Sequence, residues 1–494
     1  MSRRIDARLA RLAAGGRPRV LDLFCGCGGI SLGFERAGFE ILGGVESDLH
    51  ASRTHRWAFH GDQGDRTPGA DAADATDDPA FTLSRMGVDD PKADIDVLVG
   101  GPPCQAFARI GRAKLREIAE DPQAHVRDPR AELYRSYLDY VATVEPFAIL
   151  IENVPDILNY GGRNVAEEIC SVLDRQYGYS VRYTLLNAAW YGVPQMRERC
   201  FIVAIHRSVR AAFSFPEPQN WIELPSGYRQ SRAHALGLMS GLFGGDTYFS
   251  DIREPHPGLP AAVTAEQALG DLPTITEHLR DTVAEGRRPI GTPVAYREDA
   301  PASDYARLMR SWNNRTAGTS TDAHVTRRLP RDYRIFAAMN EGDEYPAARR
   351  TAERLFLEHV ERETEAGRSF PAPGSALWEA ERDRFVPPYD PAKFTNKWWK
   401  LRRDLPSRTL TAHIGKDTYS HIHYDSHQAR TITVREAARL QSFPDAFRFS
   451  GAMNAAFRQI GNAVPPLLAA AVAGEIRRTL EQASSLFRPK AAAG

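Results

Sequence analysis

Cysteine, long apolar runs and net charge are what this sequence has least of. Five cysteines among 494 residues are few and odd in number. That excludes a disulfide framework and fits thiols kept for packing or chemistry in a reducing compartment. No run of about 18 consecutive apolar residues occurs, so no transmembrane helix is expected. The basic N-terminus MSRRIDARLARLAAGGRPR has no apolar centre and does not read as a secretory signal. Asp6 and the lack of serine after Ser2 argue against an organelle transit peptide. A cytoplasmic protein is expected, nucleoid-associated if bacterial. Lys+Arg and Asp+Glu both total 63, which excludes a basic coat over the whole molecule but not a local basic patch. Metal ligands at workable spacing are missing too. Cys25 and Cys27 have no second pair, His421 and His423 have no third partner, and no metal is expected. What remains, 42% hydrophobic and 26% charged residues, describes a globular chain of about two to four domains at this length.

The first two hundred residues alternate short apolar runs with helical spacing, the pattern of a mostly parallel sheet with crossover helices. Strands are expected at Arg19–Phe24, Ile41–Glu46, Ile95–Gly100, Phe147–Ile151, Tyr179–Leu186 and Phe201–His206. Helices are expected at Gly29–Gly38, Ala131–Val144 and Arg163–Gln176. Residues 60–94, rich in Asp, Gly, Pro and Ala, read as a long loop with one helical turn at most. From residue 207 prolines recur and the apolar pattern thins, with charged stretches such as Glu361–Arg368, so this region reads as irregular structure or insertions. Helical spacing returns at Val434–Ser442 and Pro466–Leu480.

Five constellations could carry chemistry. Asp22-Leu-Phe-Cys-Gly-Cys-Gly-Gly29 takes a strand through a glycine turn into a helix, a place where backbone N–H groups meet a ligand. Glu46, about twenty residues on at the next strand end, is placed to accept from ribose hydroxyls. Ser31 breaks the G-x-G-x-x-G dinucleotide pattern, so the turn is either a nucleoside-cofactor cradle or simply a tight connection. Gly100-Gly-Pro-Pro-Cys104-Gln-Ala-Phe ends another strand, and its two prolines aim a potential thiolate nucleophile. Glu152 in Ile151-Glu-Asn-Val-Pro155 follows a buried run, as a helix-capping or turn acid or as a carboxyl whose raised pKa lets it donate or hold a proton. Arg197 and Arg199 in Gln195-Met-Arg-Glu-Arg199 share one face if extended, as a surface pair or as donors to carbonyl or phosphate oxygens. Gln459-Ile-Gly-Asn-Ala-Val-Pro-Pro466 reads alone as an ordinary Gly-Asn turn before a proline-started helix.

In this order FCGCGG, GGPPCQAF, ENVP, QMRER and QIGNAVPP closely resemble the C5-cytosine-specific DNA methyltransferase family. Arg408-Thr-Leu-Thr-Ala412 and the segment TVREAARLQSFP at 433–444 resemble the family's ninth motif and the helix after it. The resemblance covers residues 18–206 and 405–480 and is weak between 207 and 400. It implies a Rossmann-like, mostly parallel α/β methyltransferase domain with a smaller, irregular target-recognition domain. The catalytic part would span 1–206, completed by 461–494, and the variable part 207–460.

The resemblance also implies transfer of a methyl group from S-adenosyl-L-methionine, leaving S-adenosyl-L-homocysteine, to C5 of cytosine in double-stranded DNA. A Cys104 thiolate adding at C6 would make C5 nucleophilic. Glu152 would hold N3 and the exocyclic amine, and Arg199 would contact the base O2, with Arg197 a phosphate or structural candidate. Phe24, Gly26, Gly28, Gly29, Glu46, Ser47, Asp74, Pro103, Asn462 and Val464 would form the cofactor pocket. The base would be swung out of the duplex. Gln105, Arg109 and Arg112 in or beside the loop 106–128 would meet DNA. Ala108 stands where many members carry serine, which puts one loop hydroxyl contact in doubt. Lys397, Trp398, Lys400 and Arg402 form a basic aromatic stretch suited to phosphates and grooves, or a solvated face, and Arg327, Arg328, Arg331 and Arg334 form a second cluster. Single-chain members commonly serve restriction–modification or phage defence, which would bring partner proteins encoded alongside a monomer. Two other readings stay open. A tRNA-directed member is disfavoured because no Cys-Phe-Thr triplet occurs. A non-catalytic DNA-binding protein is disfavoured because Cys104, Glu152 and Arg199 are all present.

Overall fold

A computed structural model of the chain describes residues 3–61, 73–103, 129–160, 162–241, 248–280, 289–393, 395, 397–416 and 418–486. Six strands make one sheet: β1 (Arg19–Leu23), β2 (Glu40–Val45), β3 (Val97–Gly100), β4 (Ala148–Asn153), β5 (Tyr179–Asn187) and β6 (Glu198–His206), in the order β2-β1-β3-β4-β6-β5. β1 to β4 pair in parallel, and β6 runs antiparallel between β4 and β5. The central strands are apolar at nearly every position because both faces are covered. Leu21, Leu98, Ile149 and Ile151 enter one core, while Val20, Val97, Val99 and Leu150 enter the other.

Against the first face lie α4 (Pro79–Arg85), α6 (Pro129–Val144) and α7 (Val165–Tyr177). Against the second lie α1 (Arg3–Ala13), α2 (Gly29–Arg36) and, from the far end of the sequence, α16 (Pro466–Leu486). The last helix buries Leu468, Val472, Ile476 and Leu480 there. At about 1.5–3 kcal/mol for each such side chain, this burial is enough to hold the two ends of the chain together. Between β2 and α4, α3 (Leu49–His60) starts on Asp48, whose carboxylate accepts from Ala51 N at 3.0 Å.

The loop expected at 60–94 is partly helical. α4 and α5 (Pro91–Asp94) each begin with Asp-Pro, and at α4 Asp78 accepts from Phe81 N at 2.8 Å. Residues 62–72 of that stretch lie outside the described residues. The region after 207 is more regular than its composition implies. It holds α8 (Ser226–Gly241), α9 (Ala265–Leu269), α10 (Asp304–Arg310), α11 (Tyr333–Ala338), α12 (Tyr345–Glu365) and α13 (Ala376–Asp383). α12 runs through Glu361–Glu365, where irregular chain was expected. Tyr345, Ala348, Ala352 and Phe356 bury one stripe of it, and Arg349–Glu353 and Arg354–Glu358 pair at i,i+4 along it. α14 (Val434–Leu440) and α15 (Met453–Asn462) follow, and short two-residue strands pair at 294–321.

α14 is short, and all its charges are buried and answered. Arg430 meets Glu436 at 2.7 and 2.6 Å, Arg435 meets Asp322 at 2.6 Å, and Arg439 bridges Asp271 and Asp445. A third core, containing Trp312, Leu401, Phe443 and Phe457, reaches across to Cys27 and Leu32 beside the sheet.

Burial holds four imidazoles neutral: His55 and His423 are pushed down to about 3, His324 and His421 to about 4. A depressed native pKa contributes stability above the unfolded value near 6.5, and this is lost as pH falls toward the native value. Each histidine then costs about 1.4 kcal/mol per pH unit. We therefore expect the melting temperature to drop steeply between pH 6.5 and 5; a flat profile by scanning calorimetry across that interval would contradict neutral burial.

Candidate active site

Parallel strands deliver their ends to one edge of the sheet, and the chemistry-bearing motifs follow β1, β2, β3 and β4 there. β6 reaches the same edge by running the other way, so its first residues lie beside the last of β4. Asn153 faces Cys200 and Glu152 faces Phe201 in the ladder. That register brings Arg199 Nε to 3.0 Å from Glu152 Oε1. Glu152 is buried and Arg199 mostly so, its side chain 13% exposed. Burial pushes the Glu152 carboxyl above the usual carboxylate range, and the Arg199 and Arg197 charges only partly oppose it. Burial likewise lowers Arg199, against the attraction of Glu152.

The turn after β3 is tied to this pair. Asn153 Nδ2 donates to Pro102 O at 3.0 Å, and a side chain at Gly101 would stand 3.1 Å from Glu152 Oε2. The Gly-Pro-Pro turn is therefore held over the carboxyl, with Pro103 exposed beside it. Cys104, Gln105, Arg109 and Arg112 lie outside the described residues.

The glycine turn after β1 forms the second half of the site. Phe24, half-buried, has φ of 54°, a left-handed backbone that costs a bulky residue energy. Gly28 has φ of 99°, and a Cβ on Gly29 would overlap the Val464 carbonyl. Gly26 N donates to Glu46 Oε2 at 3.0 Å and Asp48 N to Oε1 at 2.8 Å, which fixes the carboxylate at the end of β2. Ala73 N donates to the Glu46 carbonyl at 3.0 Å, so Asp74 is beside it, exposed and capping Thr76 N. Ser47 and Asn462 are exposed at the same edge, and Val464 is buried. Phe24–Gly29, Glu46–Ser47, Asp74 and Asn462–Val464, expected around a nucleoside cofactor, are thus drawn from four chain segments into one neighbourhood, and Pro103 follows the adjacent strand β3.

Several expectations need correction. Arg197 is not a phosphate contact: it is 1% exposed, and it donates to Leu410 O at 2.6 Å and Gly461 O at 3.1 Å. Of its two expected roles the structural one remains. Trp398 and Lys400 cannot meet a groove. Trp398 is fully buried and stacks on Tyr419 at 4.6 Å, and Lys400 is also fully buried, donating to Phe336 O, Met339 O and Ser426 Oγ. Burial lowers that ammonium to about 8. Arg402 is exposed but forked onto Asp404 at 3.0 and 2.6 Å. Lys397 lies 4.7 Å over the Tyr389 ring. In the second cluster Arg327 is tied to Gly415 O and Asn454 Oδ1, and Arg331 to Asp332, while Arg328 and Arg334 are exposed. The Gly461-Asn462 pair is the end of α15 and not a turn; a side chain on Gly461 would collide with the backbone at Thr411.

Other residues here were given no role from sequence. Beneath the glycine turn, Ser31 Oγ donates to Asp22 Oδ2 at 2.6 Å and lies 3.0 Å from His55 Nε2. Burial pushes the Asp22 carboxyl up to about 7. Gln195 and Gln441 meet in the interior at 2.5 Å. Asp22, Gln195 and Gln441 all fall inside motifs quoted above, but nothing in their spacing marks them as buried.

Comparison with known proteins identifies the family. Residues 18–478 match the family model for C-5 cytosine-specific DNA methylase. M.OihORF3336P of Oceanobacillus iheyensis, named as a type II methyltransferase, is 37% identical over 467 residues, covering 94% of this chain and 96% of that protein. The type II methyltransferase M.AgeI of Thalassovita gelatinovora is 32% identical over 491 residues, covering 93% and 99%. Among solved structures, a DNA modification methyltransferase encoded within an E. coli prophage aligns with a TM-score of 0.56 at 20% identity, covering 94% of this chain and 99% of that one, a likeness of fold. The chain belongs to the C-5 cytosine-specific DNA methylase family and is a DNA cytosine-5-methyltransferase.

Proposed function

We propose that the protein methylates C5 of a cytosine swung out of a specific duplex DNA site, through a transient bond between the Cys104 sulfur and C6. The observation that carries the reading is the buried Glu152–Arg199 pair under the Gly101–Pro103 turn, one residue before that sulfur. S-adenosyl-L-methionine, when bound, supplies an electrophilic methyl group and leaves as S-adenosyl-L-homocysteine. The fit rests on the open side of the Gly26 turn, the left-handed Phe24 backbone and the Glu46 carboxylate fixed by two N–H groups. Phe24 would meet the adenine, Glu46 the ribose, and Gly28, Gly29, Ser47, Asp74, Pro103, Asn462 and Val464 the remaining surface.

The chain's own groups divide the work. The Cys104 thiolate donates its electron pair to C6, and the ring's electrons pass to C5. Glu152, whose carboxyl burial pushes up, donates to N3 in its protonated form and accepts from the exocyclic amine as charge builds on the ring. Arg199 holds Glu152 and offers donors to O2. After methyl transfer the C5 proton leaves to a base and the Cys104–C6 bond breaks. Residues 1–206 with 461–494 would form the catalytic part and 207–460 the target-recognising part, with the single chain acting on duplex DNA. Since both relatives quoted are named as type II methyltransferases, we assign the protein to a restriction–modification or related defence setting in the cytoplasm.

Cys104→Ser should lower methyl incorporation into duplex DNA by about 10³-fold or more with an unchanged melting temperature. Turnover near that of wild type would remove the covalent step, and incorporation into tRNA in preference to DNA would redirect the substrate. Glu152→Gln should cost about 10²–10⁴-fold in kcat. Because the active carboxyl is the protonated one, wild-type kcat should fall as pH rises through its raised pKa. In the Gln variant that alkaline limb should disappear; its persistence there would assign the proton elsewhere.

A further inference from the structure

We propose that Gln441 is a positioning residue for methyl transfer. It fixes the loop after α15 against the glycine turn, through an amide relay that begins at the target-base side of the site. Leu410 N donates to Gln195 Oε1 at 2.9 Å. Gln195 Nε2 donates to Leu440 O at 3.1 Å and to Gln441 Oε1 at 2.5 Å. Gln441 Nε2 donates to Ala463 O at 2.5 Å. Both glutamines are fully buried.

The direction of the relay is forced from its ends. A backbone N–H can only donate, so Gln195 must present its oxygen to Leu410 and its NH₂ to Gln441. A backbone carbonyl can only accept, so Gln441 must present its NH₂ to Ala463. Each amide orientation is the only one compatible with the next.

The geometry gives the relay a purpose at each end. Gln195 opens the segment that carries Arg197 and Arg199, and Met196 N donates to Ser407 O at 2.8 Å in the same turn. Ala463 precedes Val464, whose carbonyl lies where a Gly29 side chain would be. No space remains there for the loop to shift toward the glycine turn, and the Gln441 amide stops it from shifting away. The loop carries Asn462 and Val464, so the inference rests on the reading of those residues as the cofactor wall.

Gln441→Glu tests this. It keeps the volume and the acceptor for Gln195 but turns a second acceptor on the Ala463 carbonyl. A buried amide link replaced by facing oxygens should raise the KM for S-adenosyl-L-methionine about 10-fold. The rise in KM should exceed any fall in kcat, and affinity for duplex DNA should stay within about two-fold. A merely structural role would instead lower kcat through the folded fraction and leave KM unmoved, and that result overturns the proposal. If Gln441→Glu does not fold, Gln441→Met, which keeps the volume and removes both amide functions, takes the same two readings. Wild-type binding of S-adenosyl-L-methionine, measured by calorimetry beside them, separates the two levels. Absence of wild-type binding overturns the cofactor reading itself, whereas normal wild-type binding with an unmoved variant KM overturns the relay alone.

Discussion

A guanidinium that meets no carboxylate among the described residues, sealed in the interior, is the constraint around which the site is assembled. Removing such a charge from water costs several kcal/mol even after relaxation. Arg197 is held there by the carbonyls of Leu410 and Gly461, more than two hundred residues downstream, and burial drives its pKa well below the ordinary value. Those carbonyls are available only when β6, the segment after Arg408 and the end of α15 are docked together. Mis-docking any one of them strands the charge. The cation therefore adds specificity of arrangement more than stability, and it stands two residues from Arg199, whose partner must be placed to within a hydrogen bond.

Close backbone approach is the other half of that arrangement. Gly29 admits the Val464 carbonyl and Gly461 admits the backbone at Thr411, so the loop between α15 and α16 is pressed between the glycine turn and the strand-like segment that serves Arg197. The N-terminal sheet and the C-terminal helix share one core through α2 and α16. Long separation in sequence is no obstacle, because the cost of closing a loop grows only with the logarithm of its length.

Much of this was legible in the residues, and the failures have physical causes. The strands were readable because a sheet covered on both faces needs continuous apolar runs, and RVLDL, VLVG and AILIEN supply them. Glu152, Arg199 and Glu46 were readable because they stand at strand ends. The two short helices at 79–94 were missed because aspartate and proline were weighed as loop formers when Asp-Pro here is cap and first turn. α12 was missed because its buried stripe contains two alanines, a weak apolar signal. The Lys-Trp-Trp-Lys stretch misled because composition does not report direction: Trp398 and Lys400 sit two apart, and both turn inward. Three acceptors await the Lys400 ammonium, and nothing in the local sequence reveals them. Arg197 and Gln195 show the same blindness, since their partners lie at 410, 440, 441 and 461.

The electrostatics of Glu152 follow from the same enclosure. A carboxyl beside two arginines should titrate below its ordinary value, yet here the loss of water outweighs both cations. Burial is the larger influence; Arg197 gives two nitrogens to carbonyls, and Arg199 gives one to the Glu198 carbonyl and another to Glu152. The carboxyl is thus close enough to positive charge to be oriented, while burial pushes its pKa up. In the proposed mechanism such a group, once protonated, would donate to a ring nitrogen at little cost in reorganisation as negative charge develops, which is the condition for preorganised stabilisation. One short strand thus carries Arg197, spent on packing carbonyls, and Arg199, which holds the acid proposed for the chemistry.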